Sequence, residues 1–69
     1  MTGWRVGDAV AFEQMRQLSA MLTSRLIVDD PTRAFEVRRQ TLLVDGFDRA
    51  SIDERSRELA ALLQAVLAE

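Results

Sequence analysis

Apolar side chains recur along this chain at helical spacing, in three stretches divided by strong stop signals. In the first, Ala11, Phe12, Met15, Leu18, Leu22 and Leu26 fall within an arc of about 120° at about 100° per residue. This predicts a helix with one buried face and Asp8 as its N-cap. A weaker outer line runs through Val10, Met21 and Val28. Asp30 followed by Pro31 marks a restart, because aspartate caps well and proline at the first helical position gives up no needed hydrogen bond. The second helix should run to about Asp45, with Gly46 supplying a left-handed stop. The third start is marked twice. Ser51 and Glu54 have capping-box spacing, while Asp48 as cap would let Phe47 and Ile52 form a hydrophobic staple.

The third stretch places Ile52, Leu59, Leu62, Leu63, Val66 and Leu67 within an arc of about 140°, somewhat wide for a single contact. The second stretch is less regular. Phe35 and Leu42 share one line, whereas Val37 and Val44, joined by Ala34 and Thr41, lie on another about 160° away. A single core does not easily take both lines: either a helix squeezed between two others buries both edges, or one line meets another molecule. The pattern as a whole predicts an all-α fold: a small three-helix bundle with helices near 8–28, 31–45 and 48–68, forming one domain over 1–69 behind a short N-terminal arm that carries Trp4.

Composition narrows the function classes. A chain of 69 residues buries only about 60% of the surface its unfolded form exposes. Small domains compensate with disulfides, a metal or association. Cysteine and histidine are absent, which removes the first device and the usual nitrogen and sulfur ligands of the second. Apolar residues at 48% and charged residues at 29% suit a globular domain and not a disordered tail. Lysine and tyrosine are missing as well, so the usual nucleophile–base pairs of acyl-transfer enzymes cannot be assembled. Asp29-Asp30 and Asp53-Glu54 are adjacent carboxylates at positions where helix caps are wanted, and adjacent helical positions diverge by about 100°. The three glycines stand alone at positions 3, 7 and 46, which excludes the common phosphate loops. No enzyme activity, cofactor, metal or small-molecule substrate is therefore expected.

No apolar run is long enough to span a bilayer, and Met1 to Arg5 lacks the apolar core of a signal peptide, so a cytoplasmic protein is expected. All basic residues are arginine and asparagine is absent, a bias that suggests a GC-rich bacterial or phage gene.

Arg33, Arg38 and Arg39 give the second helix a local positive excess within a chain of net charge -2. This is the main argument for a small DNA-binding regulator, the rival reading. The stretch Leu42-Leu43-Val44-Asp45-Gly46-Phe47-Asp48-Arg49-Ala50-Ser51-Ile52-Asp53 resembles the first turn of tetracycline-repressor-type DNA-binding domains. In that family a short second helix leads through a tight turn into a recognition helix. Here Glu54 to Glu69 continues without a turn glycine, and the matching residues are the stop, staple and cap that folding alone would select.

The expectation that best fits is a protein-interaction module that associates with itself as a homo-oligomer, with another protein as the alternative partner and nucleic acid disfavoured. Its expected contacts are Val37 and Val44 on the second helix, Arg38 as a rim anchor, and Leu67 at the edge of the wide stripe.

Overall fold

The computed structural model describes residues 6–68 of the chain, so the expectations for Trp4 and the rest of the arm lie outside the described residues. Three helices follow one another: α1 (Val6–Asp29), α2 (Pro31–Leu42) and α3 (Arg49–Ala68). This is the expected small all-α bundle. α1 packs extensively against both other helices, whereas α2 and α3 barely approach each other.

The corner between α1 and α2 is one residue long. Asp30 donates its backbone N–H to the Leu26 carbonyl at 2.7 Å, and its side chain accepts from the Arg33 N–H at 3.1 Å. Pro31 occupies the first helical position, as its missing N–H permits. α2 then returns antiparallel along the C-terminal half of α1. Such a short link brings the two backbones together at once, so the first α2 residue turned toward α1 must be small. Ala34, almost completely buried, fills that place, and Val37 and Thr41 follow it into the core at helical spacing.

α2 stops at Leu42, three residues before the expected end. The cause is Asp45, whose carboxylate accepts the Phe47 N–H at 2.9 Å while its carbonyl accepts the Asp48 N–H at 3.1 Å. An aspartate that bonds forward in this way competes with helix continuation. Gly46 does not provide a left-handed stop, since no described glycine has positive φ. Of the two starts considered for α3, Asp48 is the one used. Its carboxylate accepts the Ser51 hydroxyl at 2.7 Å and the Ser51 N–H at 3.3 Å, which lowers its pKa, the hydroxyl contributing most. The staple does not bury both members: Ile52 is buried, but Phe47 is 81% exposed. Asp8 lies inside the first turn of α1, not at its cap. It accepts from Arg49 at 2.9 Å, setting the start of α3 beside the start of α1.

The core lies along one face of α1. Ala11, Met15, Leu22 and Leu26 are buried there, with Phe12 and Leu18 half-buried at its edges, and they meet Ile52, Leu59 and Leu63 of α3 and Ala34 and Val37 of α2. Where α2 and α3 come near each other, a side chain joins them instead of direct packing. Arg55, only 13% exposed, donates from Nη2 to the Val37 carbonyl at 3.0 Å and from Nε to the Thr41 hydroxyl at 3.1 Å. That hydroxyl in turn donates to the Val37 carbonyl at 2.9 Å. Glu58 balances the charge at 3.1 Å. With α3 starting beside Asp8 and reaching the end of α2 by Arg55, α3 runs in the same direction as α1.

Arg55 thus carries the joint between α2 and α3. Arg55→Ala should lower stability by about 1.5–3 kcal/mol, the range for hydrogen bonds from a charged group, in urea unfolding. Arg57→Ala, on the exposed side of the same helix, should stay within about 0.5 kcal/mol. Equal losses from the two would remove Arg55 from this role.

Candidate functional site

The α1–α2 hairpin has two faces. One is covered by α3 and contains the core. The other is open, and two shallow cavities run along it, of about 310 Å³ and 410 Å³. The first lies between Arg16, Ala20 and Ser24 of α1 and Arg38 and Leu42 of α2. The second lies between Ser24 and Ile27 of α1 and Pro31, Phe35 and Arg38 of α2. Both share Thr23, Ser24 and Arg38, so they form one groove with Arg38 at its middle.

Helical periodicity builds this groove. Pro31, Phe35, Arg38 and Leu42 recur at i, i+4, i+7 and i+11, along a line about 100° round α2 from the buried Ala34–Val37–Thr41 line. On α1, Arg16, Ala20, Ser24 and Ile27 recur at i, i+4, i+8 and i+11. The groove floor is made of small residues, and the hydroxyl of Thr23 is satisfied within its own helix by the Ser19 carbonyl at 2.8 Å. The walls are large and apolar. Phe35 is 69% exposed, Leu42 75% and Ile27 59%. Fully burying one such side chain is worth about 1.5–3 kcal/mol, so this face holds most of the unused apolar contact of α2.

The expected contact residues divide between inside and outside. Val37, 7% exposed, belongs to the monomer core, and Val44 packs half-buried against it. Val37 is thus no exposed contact, and Val44 is only partly open, at the edge of a surface cavity between α2 and α3. The two lines on α2 were correctly separated but assigned to the wrong sides: the Phe35–Leu42 line faces outward. Arg38 stands exposed at the centre of the open groove, not at the edge of a contact built on Val37 and Val44. Leu67 is half exposed at the far end of α3 and is not part of the groove. The residues that sequence reasoning missed are Ile27, Ala20 and Ser24. Their signal was present in the i, i+4, i+7 spacing of α1 beside the hairpin corner.

The arginines of α2 do not form a single basic surface. Arg33, Arg38 and Arg39 point about 100° or more apart around the helix. Arg39 is held by Glu36 at 3.2 Å, and the Glu36 carboxyl is lowered first by that hydrogen bond and then by one from Gln40. α3 is a single helix from Arg49 to Ala68, with no break that would separate a recognition helix. Among the described residues no cluster of three or more acidic side chains is placed to hold a metal ion, and no helix is long and apolar enough to cross a membrane. Comparison with family models, curated proteins and solved structures gives no match for this chain.

The division of α2 into two faces has a direct consequence in mutants. Val37→Glu with Val44→Glu should cost at least ~3 kcal/mol and abolish the folded monomer, since it drives charge into the core. Phe35→Glu with Leu42→Glu should keep the helical circular-dichroism spectrum and a cooperative melt. The opposite pair of outcomes would return Val37 and Val44 to the surface.

Proposed function

We propose that this protein is a non-catalytic interaction module that binds a protein helix, from another protein or from a second copy of itself, across the open face of its α1–α2 hairpin. The observation that carries this reading is the groove bounded by Ile27, Phe35 and Leu42, three large apolar side chains left more than half exposed in so small a chain. Large apolar side chains gathered along one groove favour a contact site over ordinary surface. Composition supports the absence of catalysis. Without histidine, cysteine, lysine or tyrosine, the remaining ionisable groups are carboxylates and arginines, and Asp30 and Asp48 are engaged as helix caps. The divergent arginines of α2 weigh against the DNA-binding alternative, because phosphate contact needs basic groups gathered on one side.

Site-specific photocrosslinking in the cells that make the protein tests this reading. A photoreactive residue in place of Phe35 or Leu42 should give a discrete protein adduct, and one in place of Arg57, on the exposed side of α3, should not. Ala20→Arg, which fills the groove floor, should suppress the Phe35 adduct. No adduct from either groove position, or the same products from position 57, would contradict the proposal.

A further inference from the structure

We infer that the groove's occupant is an amphipathic helix of another protein with carboxylates flanking its apolar edge, and not a second copy of this chain; this rests on the interaction reading above. Shape selects a helix. From Arg16 to Ile27 the groove follows about 16 Å of α1, or three helical turns. Its floor of small buried residues, Ser19, Ala34 and Thr41, with Ala20 and Ser24 exposed on the α1 side, admits a close-packed third helix at an interaxial distance of about 8–10 Å. The apolar walls at either end, Ile27 with Phe35 and then Leu42, are spaced for side chains at i, i+3 or i+4, and i+7 of a docked helix.

Charge selects among helices. The residues lining the two cavities include Arg16 and Arg38 and no aspartate or glutamate. Arg16 is engaged by Glu13 at 3.4 Å. Arg38 has no ion-pair partner among the described residues, and it stands between the apolar ends of the groove, where a docked helix would remove water from it. A desolvated arginine needs a carboxylate beside it. A second copy does not provide one through this face. The axis of a two-fold pairing passes through the middle of the self-complementary patch, so central residues meet their own counterparts. Arg38 would face Arg38, a like-charge contact that works against association.

Fluorescence anisotropy with designed peptide probes tests the assignment. One probe is a labelled helical peptide with leucines at i, i+3, i+7 and i+10 flanked by glutamates, and its partner has lysines in place of every glutamate. The full chain should bind the glutamate peptide at least about tenfold more tightly, a difference of about 1.4 kcal/mol. Arg38→Glu, at an exposed position and checked by circular dichroism for retained fold, should reverse that preference. Ala20→Arg should weaken both peptides, and the chain alone should sediment as a monomer at high micromolar concentration. Equal affinities unaffected by Arg38→Glu, or no binding of either peptide, would overturn the inference. A dimer that Phe35→Glu dissolves would also overturn it, by showing a second copy in the groove, while leaving the interaction reading intact. Failure of the photocrosslinking would remove that reading itself.

Discussion

Burial of one face of α1 against two helices at once is the constraint on which the other features depend. The line through Ala11, Met15, Leu22 and Leu26 is longer than α2 can cover, and α3 must share it. Neither α2 nor α3 has enough contact with the other to hold its own position. Their relation is set through α1 and through the Arg55 guanidinium, which ties α3 to the Val37 carbonyl and the Thr41 hydroxyl. An apolar residue at position 55 would leave that hydroxyl with its own helix alone. The arginine supplies direction as well as attachment, since its donors fit only one rotation of α2.

That rotation determines what the protein presents to its surroundings. Once Ala34, Val37 and Thr41 face α1 and α3, the periodicity of α2 places Phe35, Arg38 and Leu42 on the other side of the hairpin. The same helices therefore supply the core and the groove, and no separate element is needed for binding. A chain this small cannot bury all of its apolar surface internally. Ile27, Phe35 and Leu42 are the part of the exposed remainder that lies along the groove of the hairpin, on either side of Arg38.

Features fixed by local chemistry were legible in the sequence. Asp30-Pro31 marks its corner because cap and proline act within a single turn, and the buried stripes of α1 and α3 follow from spacing alone. The two lines of α2 were also visible, but periodicity gives only the angle between lines. Which one faces inward depends on the one-residue corner, where close backbone approach demands the small Ala34. Bulk pointed the other way, since Phe35 is the largest side chain on that helix. The early stop of α2 was missed because Asp45 turns the chain through its side chain, and Gly46 invited a conformation it does not adopt. The role of Arg55 has no local signature, although the residue lies close to the line of Ile52 and Leu59, where an arginine needs acceptors.

The central claim is that α2 turns its Val37 line inward and its Phe35 line outward in the isolated chain. Proton relaxation in solution with a neutral soluble paramagnetic agent reads this directly, residue by residue, in dilute protein. The account predicts strong enhancement for the Phe35 ring and the Leu42 methyl groups, and little for the methyl groups of Ala34 and Val37. Strong enhancement at Val37 with protection at Phe35 would show the helix rotated the other way, and the groove and all that follows from it would be lost.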